Sequence, residues 1–266
     1  MRNRKDERKG RAGLRENERA DLVGHLAELR ARLARAIAYA AAGMAVVWIF
    51  FNPLYTLMIR PIREPLESIG GQLTVRGLLE GLLVKCEIAL VGGIILASPL
   101  IFHEIWAFVA PGLTRTERRQ VRPLVPVSGL LFLLGVATGY LITGPSVRVL
   151  LRYIPPDTSA LLTLNETVLL MLKFYLAFGL SFQLPIVLVL LAKVGIVDSA
   201  MLARRWREAV VAIFIMAAVI TPTWDPITMT VVSLPMIVLY LGSIVAVKIV
   251  ERRQPKVDDQ DESLAG

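Results

Sequence analysis

The sequence has little of the chemistry that enzymes and disulfide-stabilised domains use. Among its 266 residues there is one cysteine, Cys86, which excludes an internal disulfide framework and a cysteine-based metal site. Only two histidines are present, and the residue four positions after His103 is Ala107, which excludes the two-histidine zinc motif of a helix. We find no nucleophile–base arrangement, glycine-rich phosphate loop or metal-ligating cluster. The sequence therefore predicts neither an enzyme nor a bound cofactor.

Charge is also missing from long stretches of the chain. Hydrophobic residues make up 55% of the sequence and the mean hydropathy is +0.59, values typical of an integral membrane protein. Six segments are apolar enough to be membrane spans, at about 33–54, 83–110, 124–143, 167–193, 209–221 and 227–250. The fifth is short, so we expect the bilayer or neighbouring helices to adapt to it. The predicted fold is an all-α bundle of six transmembrane helices, kinked at Pro99, Pro185 and Pro235.

The charges that are present lie mainly on one side of these spans. Of the 30 Lys and Arg residues, 21 lie in the N-terminal segment, two alternate loops and the C-terminal tail, whereas five lie in the opposite loops. By the positive-inside rule, both termini are predicted to be cytoplasmic, which explains the net charge of +8 without nucleic acid. Residues 21–251 are predicted to form the membrane domain, between charged, disordered tails at 1–20 and 252–266.

Two acidic residues next to the membrane stand among arginines. Before the first span, one face of an amphipathic helix carries His25, Glu28, Arg32 and Arg35. Glu117 lies in "GLTRTERRQVRP", the first cytoplasmic loop. Each acid has two interpretations. It can be an ordinary surface glutamate, with Glu28 paired to Arg32 at i,i+4, or it can recognise a cationic ligand.

Two other polar residues need an explanation. Gln183 lies in the middle of the fourth span, where it can either hydrogen-bond within the protein or dock a helix of a partner. Pro185, two residues later, predicts a kink there. Asp225 lies in "TPTWDPITM", between the fifth and sixth spans, and the following proline favours an N-cap role; the side chain can also shape the periplasmic surface.

Several motifs together resemble one family, the TatC subunits of the twin-arginine protein translocase. They are "HLAELRARL" before span one, "ASPLIFHEIWAFVAPGLTRTERR" across span two and its loop, "FGLSFQLPIVLVLL" in span four, and "TPTWDPITM" with "SLPMIVL" after span five. The resemblance covers roughly residues 21–250. It implies a receptor in the bacterial inner membrane that exports folded proteins carrying a signal peptide with two consecutive arginines.

The resemblance also implies roles for individual residues. The acids that bind the arginine pair match Glu28 and Glu117, and neighbouring signal-peptide positions match Arg30, Pro99 and Phe108. The site that docks partner helices matches Gln183 and Pro185, and two structural positions on the periplasmic side match Pro61 and Asp225. Many family members carry glutamate where this chain has Gln183, so a proton-titrating role at this position is excluded, whereas hydrogen bonding is not.

The implied partners are single-span subunits of the TatA and TatB types, signal peptides of folded precursors and the lipid bilayer, within a hetero-oligomeric complex that contains several copies of this chain. The family uses the proton-motive force and no cofactor. The principal alternative from the residues is a secondary transporter of a small solute. Such a transporter should carry several facing charges near the bilayer midplane, whereas charges here cluster at span ends. A membrane-embedded hydrolase would need a metal or nucleophile set that the sequence lacks.

Overall fold

Long helices of low charge dominate the computed structural model. It describes residues 3–112, 123–155, 158, 160–220 and 226–252, with residues 3–23 described by backbone only. The helices are α1 (Asn3–Ile49), α2 (Phe51–Glu67), α3 (Glu80–Val109), α4 (Leu124–Leu151), α5 (Leu164–Ser181), α6 (Leu184–Lys193), α7 (Ser199–Arg204), α8 (Trp206–Ile220) and α9 (Pro226–Glu251). A 3₁₀ turn, Ala110–Gly112, follows α3, and two strands, β1 (Gln72–Thr74) and β2 (Leu161–Thr163), lie in the connections.

Five segments of the described chain are long and apolar enough to cross a membrane: Gly24–Ile49, Glu80–Val109, Leu124–Leu151, Leu164–Lys193 and Pro226–Glu251. Helix α8 has 15 residues and is about 22 Å long, less than the hydrocarbon thickness of about 30 Å. It is the short fifth span predicted from the sequence. The all-α, six-helix membrane fold is therefore confirmed. Because the number of crossings is even, the first span begins and the last span ends at the same end of the bundle.

The first span differs from its predicted limits at both ends. The sequence places it at 33–54, but α1 ends at Ile49 and the chain turns at Phe50 into α2. Pro53 explains the end, because its ring would clash with the carbonyl of Ile49 in a continuous helix. At the other end α1 extends back to Asn3 through residues 3–20, where we expect a disordered tail. Arg, Lys, Glu and Ala dominate that segment, and all four have high helix propensity.

Proline divides the fourth span. The segment 167–193 predicted from sequence consists of α5 and α6, and the break falls at Phe182 and Gln183. Pro185 lies at the start of α6, where a missing N–H costs least. Helices α3 and α9 continue through Pro99 and Pro235 as single elements. The third span continues to Leu151, beyond its predicted end at 143.

Helices α1 and α3 approach each other at two glycines. A Cβ added to Gly43 would lie 2.4 Å from the carbonyl oxygen of Gly93, and one added to Gly93 would lie 2.4 Å from the backbone nitrogen of Met44. Only glycine allows the two backbones to lie this close. The pair therefore sets the separation of α1 and α3, the helices that carry the polar residues described below.

The apolar core lies where α2, α3, α4 and α5 meet. Its fully buried members include Ile62, Ile88, Leu172 and Phe178. Many large apolar residues on the outer faces remain exposed, such as Leu130, which is 59% exposed. Helices that are apolar on all sides suit a lipid environment, because lipid covers the faces that the protein does not bury.

Candidate functional site

The two ends of the bundle differ in their polar residues. The sheet end comprises α2, β1, β2 and the Glu80 side chain. The arginine end comprises Glu28, Arg32 and Arg35 of α1 with Glu104 of α3. The three α1 residues are spaced four and three apart, so they lie on one face of the helix, and this face meets α3.

Glu28 is held by Arg32, as the surface interpretation of the sequence predicts. The Nε of Arg32 donates to Oε1 of Glu28 at 2.9 Å, and its Nη2 reaches the same oxygen. The other carboxylate oxygen, Oε2, lies 3.9 Å from Nδ1 of His25. The Glu28 side chain is 34% exposed, and Oε2 accepts no hydrogen bond from a described residue, whereas Oε1 is committed to Arg32.

Glu104 extends this pair into a network that the sequence reasoning missed. Its oxygen Oε2 accepts from Nη1 of Arg32 at 3.3 Å and pairs with Nη2 of Arg35 at 3.0 Å. Glu104 is only 6% exposed, so a buried carboxylate bridges two guanidinium groups. From the sequence it resembled an ordinary charge near a span end. The available signal was an ionisable side chain inside a spanning helix, which usually marks a functional position.

Phe108 lies beside this network. The imidazole of His25 stacks on the Phe108 ring, with 4.5 Å between centroids and 19° between planes. Phe108 lies in the last turn of α3, one helical turn beyond Glu104. The structure thus brings two predicted signal-peptide residues, Glu28 and Phe108, next to the same histidine.

The other predicted signal-peptide residues lie elsewhere. Arg30 is exposed, and the described part of the chain offers it no ion pair. Pro99 lies in the interior of α3 against Gly129 of α4, where an added Cβ would come 3.1 Å from the Cα of Pro99. Five residues, about 7.5 Å of helix, separate Pro99 from Glu104. Glu117 lies outside the described residues.

Gln183, the predicted docking residue, makes an internal hydrogen bond. Its Nε2 donates to the backbone carbonyl of Ser128 at 3.1 Å, and the hydroxyl of Ser128 accepts from Nε1 of Trp106 at 3.0 Å. Gln183 is half-buried, and its Oε1 has no hydrogen bond to any described residue. The amide therefore ties α4 to the break before α6 and keeps one acceptor available. Pro185, also half-buried, accounts for the break.

A carboxylate organises the sheet end. Oε1 of Glu80 accepts from the backbone N–H of Asn165 at 2.8 Å, and Oε2 accepts from the backbone N–H groups of Arg76 and Gly77. Glu80 is 8% exposed and lies at the start of α3. It joins the segment before α3 to the first turn of α5, where the helix dipole favours an anion.

The same connections pair as a parallel two-stranded sheet, in which Gln72, Leu73 and Thr74 lie opposite Leu161, Leu162 and Thr163.

Pro61, predicted to be structural, lies inside α2, and a Cβ on Gly144 of α4 would lie 3.5 Å from its carbonyl oxygen. Asp225 lies outside the described residues, although α9 begins at the next residue, Pro226, as the Asp-Pro pair predicts. Within the described ranges, no group of three His, Cys, Asp or Glu residues could hold a metal ion.

Comparisons with known proteins agree on one family. The sequence profile described as "Sec-independent protein translocase protein (TatC)" matches residues 24–235. The TatC protein of Deinococcus radiodurans is 38% identical over 224 residues, 83% of each chain. The chloroplastic protein of Arabidopsis thaliana is 32% identical over 87% of this chain and 67% of its own. A crystal structure titled "Twin Arginine Translocase Receptor- TatC in DDM" superposes with a TM-score of 0.73 at 30% identity, covering 83% of this chain and 98% of that one.

Proposed function

Since the chain belongs to the TatC family of Sec-independent protein translocase proteins, we propose that it is the receptor for signal peptides with two consecutive arginines. As a family member it is a membrane component of the Tat translocase, which is a transport system and not an enzyme. The finer proposal is that Glu28 binds one guanidinium of the signal and that Glu117 binds the other.

The observation that carries this proposal is that Arg32 bonds one carboxylate oxygen of Glu28 and leaves the other unbonded. Arg32 occupies Oε1 and fixes the side chain, while Oε2 lies 3.9 Å from Nδ1 of His25 and accepts no hydrogen bond from a described residue, on a side chain that is 34% exposed. A guanidinium can approach Oε2 without displacing Arg32. An exposed ion pair alone contributes about 0–1 kcal/mol, so we expect the apolar stretch of the signal to bind against the membrane helices as well.

Arginine should be preferred over lysine at this position. A guanidinium is planar and presents N–H groups in a fixed fork, which can contact a carboxylate oxygen and a neighbouring acceptor together. The stacked His25 and Phe108 rings add a flat surface beside Glu28, on which a guanidinium can also stack. A lysine ammonium has neither the fork nor the flat face.

We propose that the protein lies in the bacterial inner membrane, with this site and both termini on the cytoplasmic side. The support is the distribution of basic residues, 21 of 30 on the side of the termini. In this orientation the arginine end meets precursors before export and the sheet end faces the periplasm.

We further propose that Gln183 docks single-span partners of the TatA or TatB type, in a complex that contains several copies of this chain. The support is its Oε1, which accepts no hydrogen bond from a described residue, at the Pro185 break inside a spanning segment. Photo-crosslinking from residue 183 tests this docking: adducts to a partner helix are expected, and their persistent absence would contradict it.

The receptor function is tested by export of a reporter that carries a twin-arginine signal. The chain is expressed with its cognate partners in cells that lack their own receptor. We expect Glu28→Gln to reduce export by about threefold to fivefold, because the neutral amide cannot form a charge-assisted bond to guanidinium and an exposed pair contributes up to about 1 kcal/mol.

Glu64→Gln is the matched control, because Glu64 is also a glutamate in an i,i+4 pair with an arginine, Arg60, at 3.0 Å on α2. It should export like the parent. Parental export by Glu28→Gln, or equal export of a Lys-Lys signal by the parent, would refute the proposed recognition.

A further inference from the structure

The buried Glu104 lies too far inside the α1–α3 contact to serve as an open ligand site. Its side chain is 7% exposed, compared with 34% for Glu28 and 53% for Arg35. Among the described residues, its two ion-pair partners are arginines of α1, Arg32 and Arg35. Its influence on a ligand would therefore have to pass through Arg32, which contacts both carboxylates.

Arg32 connects the two acids directly. One edge of its guanidinium, Nε with Nη2, faces Glu28, and the remaining nitrogen, Nη1, faces Glu104 at 3.3 Å. A guanidinium fork held at two sides has little rotational freedom. The Glu104 carboxylate thus fixes Arg32, and Arg32 fixes Oε1 of Glu28.

The charges in this cluster balance. Two carboxylates, Glu28 and Glu104, face two guanidiniums, Arg32 and Arg35. If Glu104 were neutral, the two arginines would exceed the single remaining acid beside them, and an incoming cation would meet a net positive surface. Like charges at these distances are not fully screened, because the Debye length at physiological salt is about 8 Å.

We propose that Glu104 is a positioning residue for cation recognition. By holding Arg32 and Arg35, it orients Glu28 with Oε2 open and offsets the positive charge that would repel a signal arginine. This inference rests on the proposed function of Glu28, and it assigns Glu104 no contact with the peptide.

The experiment measures peptide binding to the purified full chain in lipid nanodiscs by fluorescence anisotropy. The probes are a signal peptide with consecutive arginines and the same peptide with consecutive lysines. We expect Glu104→Gln to weaken arginine-peptide binding by roughly tenfold, a typical coupling effect of a residue that acts through a neighbour. The affinity ratio of arginine to lysine peptide should also fall, because Glu28 loses its fixed orientation.

Removal of the excess charge should restore binding. The double variant Glu104→Gln with Arg35→Gln again has one acid for one arginine, so its affinity for the arginine peptide should recover to within about threefold of the parent. The affinity ratio of arginine to lysine peptide should stay low in this variant, because Arg32 still lacks its Glu104 partner. Arg35→Gln alone should tighten binding by about twofold, since a like charge near the ligand is removed. A residue that only pins α1 to α3 would give the opposite result, with every loss of an ion pair weakening binding and no rescue in the double variant.

The outcomes separate this inference from the proposed function. If Glu28→Gln weakens binding but Glu104→Gln does not alter it, the positioning role is wrong and the receptor function stands. If the parent does not prefer the arginine peptide, the receptor function fails first. If Glu104→Gln does not fold, Arg35→Gln decides: weakened binding overturns the charge-balance argument, and tightened binding supports it.

Discussion

Two glutamates of α3, Glu80 in its first turn and Glu104 in its last two turns, are both less than a tenth exposed. Their partners differ. Glu80 accepts from three backbone N–H groups, whereas Glu104 accepts from two arginine side chains. Each carboxylate is compensated, as a buried charge must be, but the two solutions have different consequences.

Backbone donors cannot move unless the chain around them unfolds, so the Glu80 bonds fix the geometry of the sheet end. Guanidinium donors sit on long side chains that can be shifted by a competing cation or anion without a change of backbone. We therefore interpret the sheet end as a structural support and the arginine end as adjustable. Substitutions can therefore be made at each end separately, whereas one at the α1–α3 crossing should affect both.

The largest effect is expected where α1 and α3 cross. An alanine at Gly93 would place a methyl group 2.4 Å from the backbone nitrogen of Met44, so the helices must separate. We expect Gly93→Ala to destabilise the protein by about 3 kcal/mol and to weaken peptide binding, because Glu104 moves away from Arg32. Heating followed by size-exclusion chromatography in detergent measures the folded fraction.

Gly242→Ala in α9 is the matched control, because no atom lies within 4 Å of an added Cβ there. It should be neutral or slightly stabilising, since alanine has the higher helix propensity. If Gly93→Ala behaves like this control, the close α1–α3 approach does not determine the geometry of either end.

An intermediate effect is expected from Glu80→Gln, which should affect one end only. The amide retains one acceptor oxygen but replaces the other by an N–H donor that faces the backbone donors of Arg76 and Gly77. We expect the unfolding temperature to fall by roughly 5 °C. Binding of the arginine peptide should remain at the parental value, because no residue of α1 is bonded to Glu80. A loss of peptide binding comparable to that expected for Glu104→Gln would contradict the distinction between the two ends.

The contrast between the two ends also marks what the sequence could predict. Spans, their number and the polar face of α1 follow from periodicity and composition, because these are local properties. The family resemblance predicts Glu28 and Phe108 as site residues. Their joint contact with His25 could not be predicted, because it depends on how α1 is aligned with α3, and Gly43 and Gly93 determine that alignment.

Long-range pairing explains the other omissions. The sheet joins residues about ninety positions apart, and strands of three residues carry no usable alternation in the sequence. Glu104 has no distinguishing motif in the sequence, because its role depends on which face of α3 meets α1. Gln183 was given two interpretations, and its hydrogen bond to Ser128 supports the internal one without removing the acceptor that docking would use.

The smallest effect is expected at an exposed pair on α2, which shows what an ion pair contributes when water surrounds both side chains. Arg63 and Glu67 share the i,i+4 spacing of Glu28 and Arg32, in reverse order, at 3.3 Å, but both side chains are more than 60% exposed. Glu67→Gln should change stability by less than about 0.5 kcal/mol, because water solvates and salt screens such a pair. Thermal unfolding at low and high salt tests this. A loss as large as that of Glu80→Gln would mean that spacing, and not burial, decides what these glutamates contribute.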